Sequence, residues 1–370
     1  MKVAFFLGSL KRGGAESLIY DICRKSDCAP FDLCCLYRKD DDFSEAFKAT
    51  GAELIQVKKT GNMLAYLWRL RRAVLEHHID IVHAQTPSNA LVSIVALLFS
   101  RVKILTTFHG FSFSDSPRWY WRLIYACSRR IICVSEFQKR FYEKKWGLPD
   151  INKLQVIHNG IDFSKLDHPV PDTARPVSVS SDKMNMMMVG SFIEGRSQLF
   201  VCQVAEQLSR SGLPFHLYFA GRRDDAEPER YDQCVTYCKE HALTEQVHFM
   251  GNRSDIPYLL HQMDLFIYAS EHDTFGIAVI EALASGIPVL VNDWDVMKEI
   301  TDDGALATLY KTGDIGDCCE KVKKIHEQIK GEKEQAQKIA PSIRNRYSIE
   351  KHIKALNELY LTLSHEKATL

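Results

Sequence analysis

The sequence predicts two doubly wound α/β domains in tandem, each a parallel sheet covered by helices on both faces. Three observations predict it. Short apolar runs of strand length alternate with segments of helical period along nearly the whole chain. The alternation is interrupted by one long proline-bearing stretch near the middle. The chain has 370 residues, enough for two ordinary domains. Strand and helix in strict alternation require crossovers, and crossovers bury a parallel sheet on both sides.

The elements follow in order. Val3–Leu7 reads as a strand, Ala15–Lys25 as a helix, and Asp32–Tyr37 as a strand. Met63–His77 is a helix rich in Leu, Trp and Arg. Ile79–Val82 is a strand, Ser88–Phe99 a helix and Ile104–Thr107 a strand. Trp119–Cys127, Ile131–Val134, Phe137–Lys145 and Leu154–Ile157 continue as helix, strand, helix, strand. Phe163–Lys183 holds Pro169, Pro171 and Pro176 with little periodicity, and reads as a linker. The pattern resumes with strand Met186–Val189, helix Gln198–Ser209, strand His216–Ala220, helix Glu229–His241 and strand Val247–Met250. Short helix Ile256–Gln262, strand Leu265–Tyr268, a helix near Gly276 and strand Val289–Val291 come next, before two closing helices, Gly316–Lys330 and Ile349–Leu363. The expected domains are residues 1–165 and 184–345, a linker at 166–183, and a segment 346–370 that crosses back to the first domain. Ligands of such sheets bind at the carboxyl ends of the strands, so the cleft between the two domains is the expected site.

Composition excludes several classes. Lys+Arg and Asp+Glu are both 47, so the whole-chain charge lacks the footprint of a nucleic-acid binder. The 11 cysteines match no zinc spacing and read as free thiols in a reducing compartment. "MKVAFFLGSL" is too short in its apolar run for a signal peptide and fits a buried strand. Ala90–Phe99, the longest apolar run, is too short to span a bilayer. The expected location is therefore cytoplasmic.

Chemistry is expected at strand ends. "GSLKRGGAE" (Gly8–Glu16) follows the first strand and leads into a helix, whose free N–H groups can hold an anion. It is no Walker A loop, because Gly14-Ala15 stands where Lys-Ser/Thr would be required, and it contains no G-x-G-x-x-G fingerprint. A simple tight turn is the other reading. His83 and His109-Gly110 end strands, as does "VIHNGID" with His158–Asp162, and each can equally be structural. Arg196, in "VGSFIEGRSQ", could hold a phosphate or be a plain exposed arginine.

"SEHDTFGIAVIEALASGIPVL" (Ser270–Leu290) contains the oddest feature. A helix from Gly276 places Ile277, Ile280, Leu283 and Ala284 on one face, with Glu281 on the same side. Asp273 precedes that helix, within about 12 Å of Glu281 if the span is helical. A carboxylate on an apolar face is costly unless something satisfies it. Two acids flanking the free amides of Gly276, Ile277 and Ala278 would suit a nucleotide-sugar, with hydroxyls at both ends and a diphosphate between. A loop acid plus a buried salt bridge fits the spacing equally well.

The whole pattern resembles the retaining family-4 glycosyltransferases of GT-B fold, with their E-x7-E segment. The likeness runs in order through "GGAE", the strand-end "HG", "VSEFQ", "VIHNGID", "VG" with its following Arg, "AG", "HFMGNRSDIPYLLHQMDLFIYAS", "SEHDTFGIAVIEALASGIPVLVND" and the closing helix. The resemblance implies a donor site of Gly13, Gly14, Gly190, Ser191, Arg196, Phe275, Gly276, Ile277 and Glu281. Within it, Glu281 would bond the nucleotide ribose and Arg196 would neutralise the diphosphate. Asp273 would take the place of the glutamate that contacts donor-sugar hydroxyls, and His109 would sit near the transferred sugar. His109, Asp273 and Arg196 are the expected catalytic residues, and Glu16 and His83 the acceptor-side ones. Two departures stand out: Asp273 is one methylene shorter than the family's glutamate, and Ser191 replaces a second basic residue.

The resemblance further implies transfer of a sugar from a nucleotide-diphosphate sugar, expected to be UDP-linked, with retention at the anomeric carbon. Positioning and charge stabilisation would carry catalysis. No metal and no cofactor are expected; "DWD" (Asp293–Asp295) reads as a strand end. The expected acceptor is a glycan or lipid-linked glycan in cell-surface polysaccharide assembly. "YLWRLRRAV" and "RWYWRLIYACSRR" interleave aromatics with arginines in the first domain, as a peripheral contact with the inner face of an anionic membrane would require; buried aromatics with solvated arginines give the same pattern. The alternatives are a non-catalytic nucleotide-sugar-binding protein and a nucleotide-sugar epimerase on the same fold.

Overall fold

The structure is a computed structural model that describes residues 1–111, 117–147, 153–173, 175–177 and 179–366. It forms two compact units, Met1–Asp162 with Tyr347–Leu370, and Phe163–Arg346.

The first unit is built on a seven-stranded parallel sheet of β1 (Lys2–Phe6), β2 (Asp32–Tyr37), β3 (Glu53–Gln56), β4 (Ile81–Ala84), β5 (Lys103–Phe108), β6 (Arg130–Cys133) and β7 (Leu154–Val156). Their spatial order is β3-β2-β1-β4-β5-β6-β7. Side chains alternate between faces with a period of two, and both faces are buried. Ala4, Phe6, Val82 and Phe108 enter a core with Leu70, Trp121 and Tyr142. Val3, Phe5 and Ile81 enter the other, with Ile19 and Ile22 from the helix Gly14–Arg24. This is why the strands read as unbroken apolar runs.

The last helix, Ile349–His365, completes that second core with Ile349, Ile353, Leu356, Tyr360 and Leu363. Their spacing is one apolar helical face. Each such burial stabilises by roughly 1.5–3 kcal/mol. The sequence "VIHNGID" is where this helix docks. Ile161 N–H donates to the Tyr347 carbonyl, and His352 Nδ1 lies 2.7 Å from the His158 carbonyl. A Cβ on Gly160 would stand 2.7 Å from the Ile349 Cα, so the helix approaches only because that residue is glycine.

The second unit has a six-stranded parallel sheet of β8 (Met184–Val189), β9 (Phe215–Ala220), β10 (Val247–Gly251), β11 (Leu265–Tyr268), β12 (Val289–Asn292) and β13 (Thr308–Tyr310), ordered β10-β9-β8-β11-β12-β13. The proline-bearing stretch 166–183 differs from a free linker. Its described residues belong to this unit and are anchored there. Leu166 is buried, Asp172 N–H donates to Asp255 Oδ2, and the Arg253 guanidinium donates to the Arg175 carbonyl and to Asp255. Prolines removed the periodicity without removing the polar contacts.

Other elements escape the sequence pattern. The edge strand β3 has only Leu54 and Ile55 between polar ends, and β13 is three residues long. The helices Ser44–Ala49 and Asp295–Ile300 are single short turns and a half. Ile329–Arg346 is helical although Pro341 lies inside it, where it removes one backbone donor. Packing compensates: Ala336, Ala340 and Ile343 are buried.

Both sheets reverse their winding beside their first strand, between β1 and β4 and between β8 and β11. Loops diverge at these switch points, and a crevice opens at the carboxyl ends of those strands.

Candidate functional site

In the first unit the β1 loop reaches its switch point and starts the helix Gly14–Arg24. Gly13 is its extended N-cap, and Ser17 N–H donates to the Gly13 carbonyl. Glu16 stands in the first turn and folds back, so a Cβ on Gly13 would lie 2.6 Å from Glu16 Oε2. That placement is the N3 position of a capping arrangement. Burial pushes the Glu16 carboxyl up, opposed by its own backbone N–H.

His83 and His109 behave differently from the strand-end ligands the sequence suggests. His83 is buried, and both ring nitrogens are engaged, Nδ1 with the Tyr360 hydroxyl and Nε2 with Thr107 Oγ1, each at 2.7 Å. It ties the last helix to the sheet, and has no ring nitrogen to offer an acceptor. The strand turns its side chain onto the sheet face covered by the last helix, not out at the rim. His109 lies at the rim, half-buried, with Nε2 2.9 Å from Gln85 Oε1. The Gln85 amide in turn donates to the His83 carbonyl. Burial holds both imidazoles neutral, at about 3 for His83 and about 4 for His109, and neighbouring histidines add to it. The loop after Gly110 at 112–116 lies outside the described residues.

In the second unit, the loops after β8 and β11 meet. Arg196 forms an isolated antiparallel bridge with Ser270, and Ser270 Oγ donates to the Gly195 carbonyl. The Arg196 side chain runs back over Gly190, where a Cβ would stand 2.8 Å from its Nη1. It is no exposed loop arginine: its side chain is only 24% exposed, and its Nε has no hydrogen-bond partner among the described residues. Its Nη2 lies 3.9 Å from Asp273 Oδ1. The Tyr268 hydroxyl donates to Asp273 Oδ2 at 2.5 Å. Tyr268 raises the Arg196 pKa, burial opposes, and Asp273 raises it further. The charge is therefore permanent.

Gly190 and Ser191 pass beside Arg196. The Gln198 amide donates to the Ser191 carbonyl at 3.0 Å, and Arg196 Nη1 reaches the same carbonyl at 3.5 Å. A Cβ on Gly221 would strike the Gly190 carbonyl at 1.9 Å, so "AG" is needed for strand-end contact. Gly276 is the left-handed N-cap (φ +77°) of the helix Ile277–Ala284, and Phe275 before it is buried. The first amides of that helix precede its earliest intrahelical bond. Its buried positions are Val279, Ile280, Ala282, Leu283 and Ala284. Glu281 shares its half-buried face with Ile277, Ala278 and Ser285 instead. The sequence expectation put Glu281 on the apolar stripe, and the structure turns it toward the partly open side. The short helix is rotated so that five of its eight residues are covered, more than a single apolar stripe predicts.

Asp293, from "DWD", is used by the fold. Its carboxylate accepts from the backbone N–H and hydroxyl of Thr312. Asn292 beside it bonds both backbone groups of Ser270 and fixes the β11 loop.

Tyr268, Gln85 and Asn292 were not singled out by the sequence. Each is a polar residue at or just past the carboxyl end of an apolar strand, and that position is the signal that could have found them.

Two family descriptions match consecutive parts of the chain: "Glycosyltransferase Family 4" over residues 12–165, and "Glycosyl transferases group 1" over residues 172–346. The chain belongs to the group 1, family-4 glycosyltransferases. It is 23% identical over 322 residues to the O-antigen biosynthesis glycosyltransferase WclY of Escherichia coli, covering 83% of this chain and 84% of that one. It is 24% identical over 268 residues to the UDP-Gal:alpha-D-GlcNAc-diphosphoundecaprenol alpha-1,3-galactosyltransferase of Escherichia coli, covering 69% and 67%. Among solved structures, Anabaena Alr3699/HepE in complex with UDP and glucose superposes with a TM-score of 0.83 at 18% identity, over 98% of this chain and all of that one. The glycosyltransferase therefore has the GT-B fold of two parallel-sheet α/β domains.

Proposed function

We propose that this glycosyltransferase moves a hexose from a UDP-sugar to a lipid-linked glycan in cell-surface polysaccharide assembly, with retention at the anomeric carbon and without a metal. The observation that carries the reading is the β8/β11 switch point: a half-buried, permanently charged Arg196 beside Asp273 and the N-terminus of Ile277–Ala284. Support for the donor comes from the HepE structure, which is named as a complex with UDP and glucose. Support for the acceptor comes from the relative named for transfer to a diphosphoundecaprenol-linked sugar.

In this reading Arg196 and the helix amides take the diphosphate, Glu281 the ribose, and Asp273 a hydroxyl of the donor sugar. The bond from the anomeric carbon to the diphosphate oxygen breaks as the acceptor oxygen attacks on the same face, and the acceptor proton passes to the departing phosphate. The cation stabilises the charge that grows on that leaving group. His109, neutral at neutral pH, adds no charge on the acceptor side. Gly13, Gly14 and Glu16 lie at the loop that would meet the acceptor.

Attachment to a membrane belongs to the same reading. Leu64, Trp68 and Phe99 of the first unit are 76%, 60% and 93% exposed. Arg71 joins the two segments by donating to the carbonyls of Ala96 and Leu98. Apolar side chains among arginines suit an anionic lipid surface. No described helix is long and apolar enough to cross a membrane. The Arg118 side chain, part of the second aromatic-arginine run, lies outside the described residues.

A thermal-shift screen over nucleotide-sugars, followed by product analysis with a labelled donor, tests the assignment. UDP-hexoses should stabilise the protein, and label should move to a lipid-linked acceptor with the anomeric configuration kept. Epimerised donor with no transfer would overturn it.

A further inference from the structure

Asp273, the acid expected to meet the donor sugar, is one methylene shorter than the glutamate of the family pattern, and its carboxylate is held on both sides. Asp273 sits on the loop between β11 and the helix Ile277–Ala284, where a side chain would ordinarily be free to choose among rotamers. Here one carboxylate oxygen, Oδ2, accepts from the Tyr268 hydroxyl at 2.5 Å. The other, Oδ1, faces Arg196 Nη2 at 3.9 Å, too far for a hydrogen bond. Asp273 is partly exposed, with 19% of its side chain open.

Tyr268 itself is rigid. It is the last residue of β11, registered against Val291 of β12, and is fully buried. Its ring is parallel to that of Phe266, 5.9 Å away, and its carbonyl accepts from the Tyr310 hydroxyl at 2.9 Å. The loop end of the tether is also held, since Asp273 N–H donates to Ser270 Oγ at 3.3 Å and the Trp294 indole to the Asp273 carbonyl at 3.4 Å.

We propose that Tyr268 is a positioning residue of the donor-sugar subsite, its hydroxyl occupying Oδ2 of Asp273 so that Oδ1 alone is presented to a single hydroxyl of the transferred sugar. The inference rests on the proposed sugar-nucleotide function. The tyrosine and the short acid are matched: a glutamate at 273 would have to fold or give up the tether to keep its carboxylate in the same place. Tyr268 also interacts with Arg196, but a guanidinium stays charged without it, so the tyrosine's larger contribution belongs to the sugar and not to the nucleotide.

The test is isothermal titration of the full-length wild type and Tyr268→Phe with UDP, UDP-glucose and UDP-galactose, together with kcat and KM for whichever sugar donor the wild type binds more tightly. Tyr268→Phe should leave UDP affinity within about twofold and weaken the UDP-hexose by about tenfold. It should melt within a few degrees of wild type. Asp273→Glu should not restore sugar binding in the Tyr268→Phe background beyond what it achieves alone. Equal weakening of UDP and UDP-hexose, or unchanged binding of both, overturns the role of Tyr268 while leaving the sugar-nucleotide reading intact. A wild type that binds neither UDP nor either UDP-hexose overturns that reading, and the inference with it.

Discussion

The two switch points of this chain share a topology and differ in chemistry. At β1/β4 the histidines are neutral and committed to partners: His83 to Tyr360 and Thr107, His109 to Gln85. At β8/β11 the polar side chains are charged and only partly committed: Arg196 keeps an Nε unpartnered among the described residues, and Asp273 keeps one oxygen out of hydrogen-bond range of the cation. The fold supplies the crevice in both cases. Whether a crevice becomes a grip depends on polar groups left partly unsatisfied. Buried polar groups are normally paired, so an unpaired one at a strand end points to a ligand more strongly than a histidine of the right type in the right place.

Breaking the charged side should have the largest effect. Arg196→Ala is expected to lower kcat/KM for the sugar donor by roughly 10²–10³, as loss of an electrostatic transition-state partner does, with Arg196→Lys recovering part of it. Glu281→Ala should weaken UDP by at least about tenfold in calorimetry, the scale of a lost hydrogen bond to a charged group. Unchanged nucleotide affinity would remove Glu281 from the ribose. Asp273→Ala should spare UDP and weaken the intact UDP-hexose by about tenfold; equal loss of both would move Asp273 away from the sugar.

Breaking the neutral side should change stability more than chemistry. His83, His109 and His352 have native pKa values of about 3, 4 and 4, held down chiefly by burial, against about 6.5 unfolded. The unfolded chain therefore binds more protons below pH 6.5. The stability these groups allow is complete above that pH and is lost as the pH falls toward 4, by several kcal/mol in total. Hydrogen exchange across this range should show the first unit opening at acid pH, and equal protection at pH 7 and pH 4.5 would contradict the buried neutral network. The smallest effect is expected for Tyr360→Phe, which removes one hydrogen bond to His83 and should cost about 1 kcal/mol by urea unfolding, with activity unchanged.

Much of this was legible in the sequence, and unevenly. Strands such as Asp32–Tyr37 and Leu265–Tyr268 were found to the residue, because parallel strands buried over most of their length are nearly continuous apolar runs. The edge strands β3 and β13 were missed, because an edge needs little apolar surface. The helix Ile329–Arg346 was missed because Pro341 argues locally against a helix that tertiary packing enforces. In the site, the glycines were readable by spacing, and the structure gives their reasons: Gly190 makes room for Arg196, and Gly276 takes a left-handed cap. The face of Glu281 was misjudged because a short helix buried over most of its circumference has no single apolar stripe. His83 was ambiguous because sequence gives the strand end but not which sheet face the side chain joins. Tyr268 was invisible because its partner is set by the loop conformation, not by residue spacing.

Hydrogen–deuterium exchange of the full-length protein with and without saturating UDP tests the central claim most directly. The account predicts slowed exchange at residues 190–197 and 270–281 of the second unit. Slowed exchange confined to residues 8–16 and 105–111, with those two segments unchanged, would contradict it.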